Sequence, residues 1–207
     1  MGLEVGYDKC AVMKVKRGKG VEMNGINISL ENVIEEVKKD EGYPYLGILE
    51  LLDPSHEETK KLLIDKVTNI SNAIWGSNLS ERNKVSAHNM FVVSKLTYTF
   101  GIIKWTTVEL DKLDCMVAAR HRSFNCHSNC KRLYLSRKEG GRGLLNIHDV
   151  HNRTVTCLVA YIFNANSEHA KLIKQFWMYK KEGTQLKKVE DIIEELGIRV
   201  SFTEDGV

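Results

Sequence analysis

The sequence predicts an α+β fold: a small antiparallel sheet packed at one end of a mostly helical body. Three observations carry this. Roughly the first quarter of the 207 residues reads as short β-rich stretches separated by turn residues. From Pro54 onward helix-start signals recur, each followed by apolar residues at helical spacing. Hydrophobic residues make up 43% of the chain, enough for a core and too many for wholesale disorder. The length suits one domain or two small ones, with no internal repeat.

The elements follow in order. "CAVMKV" (Cys10–Val15) alternates loosely and predicts a strand, "RGKG" (Arg17–Gly20) a turn, and Asn24-Gly25 a hairpin between short apolar stretches. "YPYLGIL" (Tyr43–Leu49) predicts one more short strand. Pro44 marks an edge or a bend there, because proline lacks the N–H that a central ladder needs. Ser55 and Glu58 then form a capping box, a good cap being worth about 1 kcal/mol. Leu63, Val67, Ile70 and Ile74 follow at helical spacing.

Ser80 starts a second helix that stops near Gly101. It carries Val85, Met90, Val93 and Leu96 and is apolar on most sides, which predicts a central, well-buried helix. Thr106 and Glu109 cap a third, with Leu110, Leu113 and Val117 on one face, so residues 54–120 predict a three-helix bundle. An irregular basic loop, 121–131, leads into a strand-like "RLYL" and a Gly140-Gly141-Arg142-Gly143 turn. Asn146 caps a helix aligned through Val155, Leu158, Val159 and Ile162. Two more helices are predicted near 168–182 (Leu172, Phe176, Tyr179) and 185–196 (Val189, Ile192, Ile193, Leu196), with Gly183 and Gly197 at C-terminal cap positions.

The net charge of +3 says less than its distribution. Lys9, Lys14, Lys16, Arg17 and Lys19 form one basic cluster. Arg120, Arg122, Lys131, Arg132, Arg137, Lys138 and Arg142 form another, against the single acid Glu139. Glu190, Asp191, Glu194, Glu195, Glu204 and Asp205 make the tail acidic. Clustered base suits a polyanion partner, and solvated faces of an ordinary domain are the competing account. Five cysteines and an N-terminus without signal-peptide design argue for free thiols in a reducing compartment, cytosol or nucleus by default. Gly6 stands where a myristoylation motif needs Ser or Thr. The longest apolar run, near Met90 to Val93, is far short of a membrane span, so no membrane partner is expected.

"HRSFNCHSNC" offers His121, Cys126, His127 and Cys130 as zinc ligands, but no paired Cys-x2-Cys elements exist, and ordinary loop thiols are favoured. Cys10, Cys115 and Cys157 lie in apolar strand or helix patterns, where buried thiols are inert. The "KEGGRG" turn is no Walker box. Its glycines beside Arg137, Lys138 and Arg142 could still let backbone N–H groups and guanidiniums approach a phosphate, a plain turn with solvated base being the alternative.

Four ordered strings, "DKCAVMKVKRGK", "EGYPYLGILE", "YTFGIIKWTTVELDKLD" and "RLYLSRKEGGRGLLNIHDV", resemble the reverse transcriptases of non-LTR (LINE-like) retrotransposons over about residues 1–160. "YDKCAV" is similar to the lysine-bearing palm segment after the catalytic aspartates, "YPYLGI" to the primer-grip turn, the three helices to the thumb, and "RLYLSRKEGGRGL" to the post-thumb block. The resemblance implies a partial palm with primer-grip turn at 1–52, a helical thumb at 53–121, and a basic post-thumb loop with C-terminal helices at 122–207. It implies primer contacts from Tyr43, Tyr45, Leu46 and Gly47. It further implies backbone contacts from Lys60, Lys66, Arg82, Lys84, Arg132, Arg137, Lys138 and Arg142. Pro44 and Ser136 depart from the family's usual residues, and the likeness fades after about residue 165.

The family polymerises with two metal ions held by an Asp-Asp box and an earlier Asp. No adjacent aspartate pair occurs here, and Asp8, Asp40 and Asp53 match no metal position. The expectation is therefore a truncated, non-catalytic fragment with no cofactor of its own, Mg2+ belonging to the full-length family enzyme. Its partners would be an RNA/DNA template-primer duplex, and the missing palm and fingers or a second copy covering exposed edges. The alternative is a decayed or repurposed helical interaction module without nucleic-acid affinity.

Overall fold

The computed structural model describes residues 6, 9–17, 19–21, 23–28, 33–37, 43–45, 48–50, 56–124, 130–180, 182–197 and 202. The fold is α+β. The chain divides into two compact units, Met1–Ile64 and Asp65–Val207.

The first unit holds three two-stranded antiparallel ladders. β1 (Lys14–Lys16) pairs with β2 (Lys19–Val21) across the expected Arg17 turn, where Arg17 takes a φ of +54°. β3 (Ile26–Asn27) pairs with β4 (Val33–Ile34), so Asn24-Gly25 precedes the hairpin instead of forming its tip. Gly25 is nonetheless held close: a Cβ there would lie 2.6 Å from the Ile34 carbonyl oxygen. β5 (Tyr43–Tyr45) pairs with β6 (Ile48–Glu50), with Pro44 opposite Leu49. The stretch predicted as one strand is thus a hairpin. Both its strands are edges, which is where proline is tolerated. Val15, Ile26 and Val33 are exposed.

In the second unit the helices supply the core. α1 (Glu57–Gly76) bridges the division; the expected Ser55 cap lies outside the described residues. Val67, Ile74 and Trp75 are buried. The predicted second helix is continuous from 81 to 100 but not uniform: α2 (Glu81–His88) passes through a π-helical turn (Asn89–Val93) into α3 (Ser94–Phe100). Ser80 caps it, its hydroxyl accepting from the Asn83 N–H at 3.4 Å. Val85, Val93 and Leu96 are buried as predicted, whereas Met90 and Phe91 are 64% and 52% exposed. The extra residue in the π turn rotates that face outward, so this helix is not the central one.

The centre is α6 (Ile147–Asn164), which packs against α3, α4 (Thr107–Phe124), α7 (Glu168–Lys180) and α8 (Gln185–Glu195). The capping box before α4 forms in full: Glu109 Oε2 accepts from the Thr106 N–H at 2.7 Å, and Thr106 Oγ1 accepts from the Glu109 N–H at 3.3 Å. Leu110, Leu113 and Val117 are buried. α6 is capped twice, by Asn146 on Asp149 (2.9 Å) and by Asp114 of α4, whose carboxylate accepts from the Ile147 and His148 N–H groups at 3.0 and 3.2 Å. That carboxylate sits at the positive end of α6. Burial pushes the Asp114 carboxyl above its ordinary range, and the two amides pull against this.

On the far side, Val155, Val159, Phe163, Leu186 and Val189 form one cluster, with Trp177, Met178, Ile193 and Phe202 against it. α7 offers two apolar faces, and among the described residues only one is covered. Ala170 and Lys174 are buried, while the predicted stripe of Leu172, Phe176 and Tyr179 is 65%, 55% and 93% exposed.

The cysteines also depart from expectation. Cys115 and Cys157 are exposed and Cys10 is half-buried. Each helical cysteine lies two residues from buried neighbours, Leu113 and Val117 or Val155 and Val159, and two residues turn a helix about 200°, onto the opposite face.

One polar cluster is enclosed by this packing. His151 of α6 is 1% exposed and meets the Phe100 ring edge-on at 4.9 Å. Lys188 of α8 donates to the Trp105 carbonyl (2.8 Å) and contacts His151 Nε2 (3.1 Å). An ammonium only donates, so Nε2 is the acceptor and Nδ1 carries the proton toward Asn152 Oδ1 at 3.1 Å. Burial, with Lys188 and His148 nearby, lowers the His151 pKa to about 4. No described helix is long and apolar enough to cross a membrane.

Candidate functional site

The block that begins at Arg132 folds back on itself. "RLYL" is not a strand: residues 130–134 form a short helix, α5 (Cys130–Tyr134). A four-residue apolar alternation cannot separate the two by periodicity alone, and here the carbonyls of Arg132, Leu133 and Leu135 accept from the N–H groups of Arg142, Leu144 and Gly143 at 3.0, 3.0 and 2.9 Å. A 3-10 turn (Arg137–Glu139) closes the loop, with Gly140 at φ +78°. Gly141 is needed for closeness rather than for dihedral freedom, since a Cβ there would lie 2.0 Å from the Leu135 carbonyl oxygen.

This loop is fixed to α2 by side chains that bind backbone. Asn89 Nδ2 donates to the Gly143 carbonyl (2.9 Å) and its Oδ1 accepts from the Leu145 N–H (3.0 Å), a two-way match to one stretch of chain. Arg137 Nε donates to the Arg142 carbonyl, and its Nη2 donates to the Arg82 carbonyl and Ser86 Oγ, all at 3.3 Å. Arg142 Nη2 pairs with Glu81 Oε2 at 2.8 Å, both side chains partly exposed. Between loop and helix lies an open cleft of about 330 Å³ lined by Glu81, Arg82, Val85, Arg137, Gly141 and Arg142.

The predicted contact residues therefore separate into groups. Arg82, Arg137 and Arg142 meet at this cleft, although Arg82 stands far from the others in sequence. Arg132 and Lys138 are exposed on the same block, with Arg132 Nε donating to the Gly140 carbonyl at 3.0 Å. Lys84 reaches back to cap the last turn of α1, donating to the Trp75 carbonyl at 3.0 Å. Lys66 is exposed on α1. Lys60 is buried, its amine 3.3 Å from Glu57.

Tyr43, Tyr45 and Lys60 belong to the first unit. The Tyr43 hydroxyl donates to the Lys9 carbonyl, tying β5 to the chain before β1. Leu46 and Gly47 stand between β5 and β6, outside the described residues. Residues 125–129 of the Cys/His loop, with Cys126 and His127, also lie outside them, and no cluster of metal-ligating side chains occurs among the described residues.

Glu81, Ser86 and Asn89 were missed by the sequence reading. Their loop partners are more than fifty positions away, so no local pattern marks them. Comparison with known proteins gives no match to a family model, a curated protein or a solved structure.

Proposed function

We infer that the chain is a non-catalytic, nucleic-acid-gripping segment of a reverse-transcriptase-like protein, holding the sugar-phosphate backbone of a template-primer duplex. The observation that carries this reading is the convergence of Arg82, Arg137 and Arg142 on one open cleft, with Arg132 and Lys138 exposed on the same block. A grip that accepts any sequence needs phosphate contacts rather than base contacts, and guanidiniums on a rigid loop suit that. The chain has no adjacent aspartate pair, so nucleotide incorporation is not expected of it alone.

The test is binding of a short fluorescein-labelled RNA–DNA hybrid across a range of KCl. Two to three phosphate contacts give a slope of log affinity against log salt of roughly −1 to −3. A flat, weak response refutes the reading.

A second reading, a helical interaction module without nucleic-acid affinity, is favoured by one observation: Leu172, Phe176 and Tyr179 stand exposed in a helical row on α7. It expects the flat response.

A further inference from the structure

We propose that Glu81 is a built-in competitor for phosphate at the cleft: its carboxylate occupies the Arg142 guanidinium, and a nucleic-acid phosphate must displace it to engage Arg142. The inference rests on the nucleic-acid reading and deepens it by dividing the three arginines into different roles.

The division follows from what each guanidinium already holds. Arg137 uses its Nε edge on the Arg142 carbonyl and its Nη2 on Arg82 and Ser86, so it is the strut that fixes the loop to α2. Arg142 is anchored through its own backbone, the N–H to the Arg132 carbonyl at 3.0 Å and the carbonyl to Arg137. Its side chain is left to reach across the cleft, where Glu81 meets it at 2.8 Å. The Arg82 side chain is exposed and makes no hydrogen bond or ion pair among the described residues.

An incoming phosphate thus finds one unpaired guanidinium, Arg82, and one already neutralised, Arg142. Glu81 is about half as exposed as Arg142, its side chain showing 24% against 47%. Such a partly exposed ion pair is weak enough to exchange. A phosphate accepts bidentate guanidinium bonds as well as a carboxylate does and carries the charge that releases counterions. Glu81 also sits in the first turn of α2, where the helix dipole holds a carboxylate in place. The cleft therefore rejects weak anions and opens to a polyanion already held by its neighbours.

The experiment compares the full-length chain with Glu81→Gln, Arg142→Ala, the double variant, and Asp111→Asn on α4 as a charge-matched control, all against the same labelled hybrid over a KCl series. Thermal melts by circular dichroism check that each variant is folded. The proposal expects Glu81→Gln to bind about two- to fivefold tighter, with a slope steeper by about 0.7–0.9, and Asp111→Asn to change neither. It expects no gain from Glu81→Gln once Arg142 is alanine.

Salt-dependent binding by the unmodified chain with no gain in Glu81→Gln, or a gain that survives in the double variant or equals that of Asp111→Asn, overturns the competitor role and leaves the nucleic-acid reading standing. Absence of salt-dependent binding in both the unmodified chain and Glu81→Gln sinks both.

Discussion

Acidification should loosen this fold through one residue, His151. Enclosed between α6, α8 and the Phe100 ring, it is held neutral, with a pKa of about 4 against 6.5 for a free imidazole. Because the folded-state value is the lower one, the unfolded chain takes up the proton first. The contribution to stability is complete above about pH 6.5 and is lost as pH falls from there toward 4. That lowering is worth on the order of 3 kcal/mol when fully expressed, of which about 2 kcal/mol is gone by about pH 5. The group facing His151 across the packing is the Lys188 ammonium, which has no reason to welcome a second cation 3.1 Å away. Asp114, whose pKa is raised by burial, acts with the opposite sign, its folded form taking up a proton more readily than the unfolded chain does as pH falls.

The assay is urea unfolding, followed by tryptophan fluorescence and far-UV circular dichroism, at about pH 7.5 and about pH 5, for the native chain and for His151→Gln. Glutamine keeps an acceptor for Lys188 and cannot titrate, so the difference between the two pH dependences isolates His151 from every other group. The native chain should lose about 2 kcal/mol more than the variant over that range. Parallel pH dependences would show that the imidazole is not held neutral by this packing, and the argument for an enclosed His151–Lys188 contact would fail with it.

Other outcomes follow from the same geometry. Gly141→Ala forces a methyl to within 2.0 Å of the Leu135 carbonyl oxygen and should destabilise the second unit by about 1–3 kcal/mol or more, read as a fall in the urea midpoint. Asn89→Ala removes both bonds to the loop and leaves the Gly143 carbonyl and Leu145 N–H to find other partners. A loss of about 1–3 kcal/mol is expected, with faster amide exchange at Leu145 as the local signature. Cys115 and Cys157 should react with a thiol reagent in the folded protein without denaturant, and protection of both would contradict their exposed positions. Replacing Leu172, Phe176 and Tyr179 by serine should leave the melting temperature within a few degrees and reduce self-association in sedimentation, because these side chains stand in solvent.

Much of the helical half was legible in the residues. Local chemistry sets helix ends, and local chemistry is what a sequence displays: Ser80, Thr106 with Glu109, and Asn146 cap where they were expected to, and Gly183 and Gly197 follow α7 and α8 with φ of +73° and +67°. The buried face of α4 could be read for the same reason, since its apolar residues make a single stripe. α7 could not, because two apolar faces compete and the choice between them is made by α6 and α8, not by α7. The π turn at Asn89–Val93 has no counterpart in the residue pattern, and it decides that Met90 and Phe91 face outward.

The cleft divides in the same way. Its basic residues and its glycine turn stand in the sequence as types and spacings. What they do was settled by contact between distant segments. Arg137 became a strut because the Arg82 carbonyl and Ser86 lie under it, and Arg142 meets a carboxylate because α2 begins there. A side chain's role depends on which partner reaches it first. For charged groups this far apart along the chain, only the packing of one helix against one loop fixes that partner.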